Sequence, residues 1–184
     1  MRKLIFFNMI TLDGFFEGEN HSIEWHNVDG EFNEFAVEQL FTADILLFGR
    51  KTYELMAGYW STSQSINDDP AVSKIMNSIP KIVISKTLTE ANWENTRLIN
   101  ENVFEEMTKL KNQPGKNIFI FGSAELGASF RKMNLIDEYR IMVNPMVIGR
   151  GKPLFLNITQ DFKLKLLMTK VFKSGNVLLY YEPE

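Results

Sequence analysis

Apolar residues in this chain gather in short unbroken runs, with segments of helical spacing between them. The run Ile45, Leu46, Leu47, Phe48 has no polar interruption, which predicts a strand buried on both faces, like a central strand of an α/β sheet. Residues 3–9, 81–85 (KIVIS), 117–121 (NIFIF) and 138–143 read as further strands. Phe32, Phe35, Ala36 and Leu40 fall on one face of a helix from Asp29, its N-cap, to about Thr42. Asp69 as N-cap and Pro70 at the first helical position open a short helix with Val72, Ile75, Met76 and Ile79 inward, stopped by Pro80. Val103, Phe104, Met107 and Leu110 predict another, capped by Asn100 or Asn102 and ended by Pro114 and Gly115. Leu126, Phe130 and Met133 predict a helix after Gly122 and Ser123. Residues 61–69 are polar and read as a loop. Residues 162–172 and 177–181 flank Ser174, Gly175 and Asn176 and read as an antiparallel hairpin.

Strands alternating with helices imply a mostly parallel α/β sheet covered by helices on both faces, with the hairpin at one edge. Three strand ends then point the same way, at Gly49, Ser85 and Gly122, and ligands of open α/β sheets bind beyond such ends. After Gly49 the next helix opens on Arg50, Lys51 and Thr52, although a helix N-terminus favours acidic residues. A bound anion compensates that, held by free N–H groups, two cations and a hydroxyl, which reads as a phosphate site. The other ends offer Ser85, Lys86 and Thr87, and Gly122 and Ser123 leading into a helix. Taken singly, these are equally the marks of a solvated turn and a helix cap; together they fit a ligand with separated phosphates, such as a phosphorylated dinucleotide. Neither G-x-G-x-x-G nor a Walker A sequence is present, so a dinucleotide is held by other means.

Bulk properties narrow the field. At 184 residues, with 45% apolar and 23% charged, the chain predicts one soluble globular domain over 1–184. A net charge of -3 argues against nucleic acid as partner. There is no cysteine, and two histidines, His21 and His26, do not make a metal site, so no metal is expected. The basic then apolar N-terminus is interrupted at Asn8, Thr11 and Asp13 and reads as a strand rather than a signal peptide. No apolar run approaches the ~20 residues that span a membrane, so no membrane partner and a cytoplasmic location are expected.

Five segments, in order, carry a family resemblance: TLDGFFEG from Thr11, DILLFGRKTYE from Asp44, KIVISKTL from Lys81, IFIFGSAELGASF from Ile118 and LIDEYRIMVNPMVIGRGKPLF from Leu135. With them the chain resembles the dihydrofolate reductase-like superfamily, in particular proteins similar to the reductase domain of bacterial riboflavin biosynthesis. The resemblance implies the three-layer dihydrofolate reductase-like fold and NADPH bound across the sheet's C-terminal edge. It implies an activity of the dihydrofolate reductase or 5-amino-6-(5-phosphoribosylamino)uracil reductase kind, and a homodimer. Adenosine-phosphate contacts are implied near Arg50, Lys51, Ser85 and Lys86, pyrophosphate contacts from Gly122 through Ser123, Ala124 and Glu125 to Leu126, and the nicotinamide near Met9 and Phe16. Two departures stand out. The family commonly has Gly-Gly where this chain has Gly122 and Ser123, and the acid that holds the pterin in folate reductases has no secure counterpart.

The reaction this implies is hydride transfer to a small heterocycle, pyrimidine- or pterin-like, or to a ribosylamine. Asp13 and Asp29 are the catalytic candidates; each also reads as a local structural residue, an Asp-Gly turn and a helix cap. Trp25, Tyr53, Met56 and Trp60 are the substrate-binding candidates, the last three at a spacing that also fits core packing. Glu125 balances the dipole of its helix. Residues 144–153 read as a structural loop. The competing class is a non-catalytic nucleotide-binding or regulatory protein that retains the cofactor cleft.

Overall fold

A computed structural model describes residues 1–184. In chain order the elements are β1 (Leu4–Thr11), β2 (Phe15–Glu17), a 3-10 turn (Glu19–His21), α1 (Gly30–Phe41), β3 (Ala43–Gly49), α2 (Arg50–Trp60), α3 (Ser63–Asp68), α4 (Pro70–Ser78), β4 (Lys81–Ile84), β5 (Thr96–Ile99), α5 (Val103–Lys111), β6 (Asn117–Phe121), α6 (Ala124–Lys132), β7 (Glu138–Asn144), β8 (Lys152–Pro153), β9 (Leu164–Val171) and β10 (Val177–Pro183). The strand order of the eight-stranded sheet is β5-β4-β3-β6-β1-β7-β10-β9, and β2 and β8 form a separate two-stranded ribbon. The expected α/β architecture with a C-terminal antiparallel hairpin is the one observed. The chain forms two compact units, residues 1–4 with 36–123, and residues 5–35 with 124–184.

In the first unit, β4 pairs in parallel with β3 and with β5, and β3 with β6. Leu46, Leu47 and Phe48 of β3, Val83 of β4 and Ile118, Phe119 and Ile120 of β6 are fully buried, as unbroken apolar runs require. Each such side chain contributes roughly 1.5–3 kcal/mol on burial. Three features depart from expectation. Residues 61–69 are not a loop throughout: α3 runs through them, capped by the Thr62 hydroxyl, and it is held by polar bonds, Ser65 Oγ to the Trp60 and Thr62 carbonyls and to Ser73 Oγ, rather than by an apolar stripe. A four-residue strand, β5, follows Trp93 in a stretch too short and polar to show a period. Asn102 does stand at the N-cap of α5, but in the left-handed region at φ 50, with no side-chain cap bond.

Lys81, at the start of β4, is 1% exposed. Its Nζ donates to the carbonyls of Met76 (2.9 Å), Asn77 (3.2 Å) and Ile79 (2.9 Å), where α4 ends, and lies 4.5 Å from the centre of the Trp93 ring. These carbonyls are among those a helix C-terminus leaves without intrahelical partners, and a cation there opposes the negative end of the dipole. Burial pushes the Lys81 ammonium down to about 8.

In the second unit, β1 pairs in parallel with β7, β7 antiparallel with β10, and β10 with β9. Alternation along β1 sends Phe7 toward Phe35 of α1 and Phe6 toward Tyr139 and Gly127 of α6. A Cβ on Gly127 would overlap the Phe6 ring, so only glycine lets α6 lie this close to β1. A set of asparagines ties residue 27 to the end of β7 and to the hairpin turn. The Asn27 N–H donates to Asn144 Oδ1 (2.9 Å), its Nδ2 to the Ser174 carbonyl (3.0 Å), and Asn176 Nδ2 to the Asn27 carbonyl (2.7 Å).

Candidate functional site

Register brings the three predicted strand ends together in the first unit. Gly49 stands opposite Ile84 of β4, and Leu47 opposite Ile120 of β6, so Gly49, Ser85 and Gly122 end side by side on one edge. With strands about 4.8 Å apart, the three ends lie within about 10 Å.

Each end has its own geometry. Gly49 is the N-cap of α2, extended at φ -80 and ψ 162, and supplies no side-chain cap, which leaves the first N–H groups of α2 without a side-chain acceptor at that position. Arg50 is not uncompensated, as the sequence had implied. Its Nη1 lies 3.1 Å from Glu54 Oε1 one turn later. Both groups are more than 40% exposed, and an exposed pair of this kind is weak enough for a phosphate to displace. Lys51 is exposed and Thr52 half-buried. Ser85 is buried, and its Oγ accepts from the N–H groups of Thr87 (3.2 Å) and Leu88 (3.0 Å), leaving the hydroxyl proton for Thr87 Oγ1 or a ligand. Lys86 and Thr87 are exposed. Gly122 and Ser123 both adopt the left-handed region, φ 65 and 59, which explains glycine in the first position and makes serine in the second a strained substitute.

Tyr53 does not belong to a substrate pocket. It is 5% exposed, packs on Trp93, and its hydroxyl accepts from the Trp93 N–H at 2.8 Å, so it is a core residue with its polar atom in use. Met56 and Trp60 are half-buried on α2, and Trp60 lies edge-on to Tyr59.

The second unit carries the remaining candidates. Asp13 is not a free acid. Its carboxylate accepts from the N–H groups of Gly149 (2.8 Å) and Ile148 (3.3 Å), which pins the 144–153 loop. The Thr11 hydroxyl, followed by these N–H groups, holds its carboxyl below the usual carboxylate range, which disfavours it as a proton donor. We expect Asp13→Asn to speed amide hydrogen exchange at Ile148 and Gly149, because an amide brings a donor to face two donors; unchanged protection there would leave Asp13 free for chemistry. Asp29 is the cap it resembled, accepting from the Phe32 N–H at 2.8 Å. Met9 is buried, opposite Met142, and Phe16 is half-buried on β2.

Trp25 and its neighbour His26 bury Nε1 and Nε2 without partners, with ring centres 4.5 Å apart. Burial pushes the His26 imidazole down to about 4, so it is neutral at pH 7. At α6, Ala124 and Leu126 are buried, and Glu125 Oε1 meets Lys152 Nζ at 2.9 Å. Asn8, Lys152 and His26 were absent from the sequence-based candidates. Asn8 did carry a signal, as the lone amide within an apolar strand.

The whole chain has recognisable relatives. Residues 2–179 match the family model described as the RibD C-terminal domain. The uncharacterized protein YyaP of Bacillus subtilis (strain 168) is 36% identical over 182 residues, covering 98% of this chain and 94% of that protein. Among solved structures, a putative riboflavin biosynthesis protein from Shewanella sp. PV-4 superposes with a TM-score of 0.76 at 22% identity, covering 99% of each chain. A pyrimidine reductase-like protein from Corynebacterium diphtheriae gives 0.68 at 14% identity, covering 100% of this chain and 92% of that one. No helix is long and apolar enough to cross a membrane.

Proposed function

The chain belongs to the RibD C-terminal domain family, and from that membership we propose that it is an NADPH-dependent reductase, one functional domain over residues 1–184, acting on a small heterocyclic or ribosylamine substrate. The observation that carries the reading is the alignment of three strand ends in the first unit, each bearing hydroxyl, cationic or open N–H groups suited to phosphate. NADPH supplies the hydride when bound. Gly49, with the first N–H groups of α2, Arg50, Lys51 and Thr52, takes the ribose phosphate together with Ser85, Lys86 and Thr87. Gly122 and Ser123, and after them Ala124, Glu125 and Leu126, take the pyrophosphate. Met9 and Phe16 are assigned the nicotinamide end on the family resemblance. The buried Trp25 indole N–H and the neutral His26 ring are polar groups available to a substrate's carbonyl or ring nitrogen.

Arg50→Ala tests the preference for NADPH. Losing a charge-assisted bond to the extra phosphate removes about 1.5–3 kcal/mol, so NADPH binding weakens about tenfold or more while NADH binding barely changes. Equal losses for both cofactors would remove Arg50 from the 2′-phosphate. Loss of NADPH absorbance with pyrimidine, pterin and ribosylaminopyrimidine substrates tests turnover. One observation favours a second reading, nucleotide binding without turnover: Asp13 and Asp29 are both committed to backbone N–H groups, so neither candidate acid is free. Tight NADPH binding with no oxidation across that panel supports it.

The reading includes a homodimer and a cytoplasmic setting. Leu166 and Val171, on one face of the edge strand β9, are each more than half exposed, a surface suited to a second copy, and sedimentation equilibrium at the monomer mass would refute it.

A further inference from the structure

In the first unit, the segment ahead of β5 and the end of α4 together hold α2 at two points. Near the start of α2, the Tyr53 hydroxyl accepts from the Trp93 N–H at 2.8 Å, and the two rings pack with centres 6.2 Å apart. At its last residue, the Trp60 carbonyl accepts from Asn77 Nδ2 at 2.8 Å. The two holding residues are joined to each other, since Trp93 Nε1 donates to Asn77 Oδ1 at 2.7 Å. An indole N–H only donates, so this bond turns Oδ1 toward Trp93 and leaves Nδ2 for the helix end. Asn77 is anchored in turn: its Nδ2 also donates to the Ser73 carbonyl at 2.8 Å, and its carbonyl accepts from Lys81 Nζ at 3.2 Å, at the start of β4. Tyr53 and Trp60 stand about two helical turns apart, close to 10 Å along the axis, on nearly one face of α2. A helix gripped once can still slide or turn. Gripped twice on one face, it does neither.

We propose that Asn77 and Trp93 are positioning residues that set the first turn of α2 against the end of β4, and with it the preference for a phosphorylated over an unphosphorylated dinucleotide. This rests on the reading of the chain as a nicotinamide nucleotide-binding reductase in which residues 50–52 and 85–87 share the ribose phosphate. Those two groups belong to different elements. Residues 50–52 open α2, whereas residues 85–87 follow β4, whose first residue, Lys81, is bonded to Asn77. The clamp joins the two elements and so fixes the gap between the groups before a ligand arrives. A phosphate that bonds both groups gains from a preset gap, because the site gives up less freedom on binding. NADH lacks that phosphate and bridges no such gap, so its affinity depends little on the clamp. Both residues act through α2, and neither is among those assigned to the ligand. Asparagine suits position 77 because it presents an acceptor and a donor together. Aspartate keeps the acceptor for Trp93 but turns a second oxygen on the Trp60 carbonyl.

The test is calorimetric titration of the full chain with NADPH and NADH, on wild type, Tyr53→Phe, Asn77→Asp and Asn95→Gly. Tyr53→Phe and Asn77→Asp each release one grip, and each weakens NADPH about five- to tenfold and NADH less than about twofold. Asn95→Gly is the control. It removes the bonds from Asn95 Nδ2 to the Asn77 and Ser78 carbonyls, and glycine accepts the left-handed backbone there, at φ 58. It releases neither grip, so it lowers stability and leaves the ratio of the two affinities at its wild-type value. A second readout needs no variant. Binding and clamp are linked, so NADPH slows hydrogen exchange of the Trp93 indole N–H more than NADH does at equal saturation. Equal losses for both dinucleotides in Tyr53→Phe and Asn77→Asp, or no loss in either variant, overturn the proposal, as does indole exchange that both dinucleotides slow alike. If wild type binds neither dinucleotide, the reductase reading fails on its own, and the preference with it. The clamp is then decided by amide exchange at residues 54–56, whose helical bonds close the first turn of α2. Faster exchange there in Tyr53→Phe and Asn77→Asp than in Asn95→Gly supports the clamp, and equal rates overturn it.

Discussion

Gly127→Ala is expected to destabilise the protein by about 3 kcal/mol, near the upper end of overpacking penalties. The added methyl would overlap the ring of Phe6, a side chain 2% exposed and edge-on to Tyr139, which has no room to rotate away. Either the Phe6 ring leaves its rotamer or α6 rises from β1. Urea unfolding measures the loss. Gly58→Ala is the matched control, since a Cβ there meets nothing within 4 Å and α2 gains up to about 1 kcal/mol of helix propensity. A Gly127→Ala protein as stable as wild type would mean that the close packing of α6 on β1 is not needed.

Lys81→Met carries a comparable expected loss, about 3 kcal/mol, for a different reason. The Met76 and Ile79 carbonyls at the end of α4 lose their side-chain donor at once, Asn77 keeps only Asn95 Nδ2, and Trp93 loses its cation. The variant also changes how stability depends on pH. Unfolded Lys81 keeps its proton to about 10.5, whereas in the folded chain burial lowers that point to about 8. Between these values the unfolded state binds more protons, so the group makes folding more favourable as pH rises through the window. Below about 8 its effect is constant. Unfolding curves of wild type and Lys81→Met from pH 7 to about 10.5 should therefore diverge as pH rises, wild type gaining relative to the variant. Parallel curves would show that Lys81 titrates normally despite its burial.

The central strands of the first unit were legible because their apolar runs are unbroken. Ile45 to Phe48 and NIFIF can only be central strands, and once three such strands are parallel their C-terminal ends must face one way. What escaped the sequence was structure held by polar bonds or by distant partners. No periodicity marks α3, whose Ser65 hydroxyl bonds Trp60, Thr62 and Ser73, and β5 is four residues on a sheet edge. Burial of a lysine at position 81 depends on where α4 ends, which local pattern does not report. Tyr53 fitted a pocket and a core equally by spacing, and only the Trp93 N–H, 40 residues away, decides for the core. Asp13 likewise looked like a turn residue or an acid, whereas its partners lie at positions 148 and 149. The basic opening of α2 pointed to an anion, yet Glu54 answers Arg50 one turn later, and it is the convergence of three strand ends, not one unpaired charge, that suits phosphate.

The central claim, a cleft for a phosphorylated dinucleotide, is tested most directly by titrating the protein with NADPH and NADH while following fluorescence from Trp25, Trp60 and Trp93. The account predicts saturable quenching with micromolar NADPH and much weaker binding of NADH. An absence of binding by either cofactor would contradict it, and the strand ends at Gly49, Ser85 and Gly122 would then serve some other ligand.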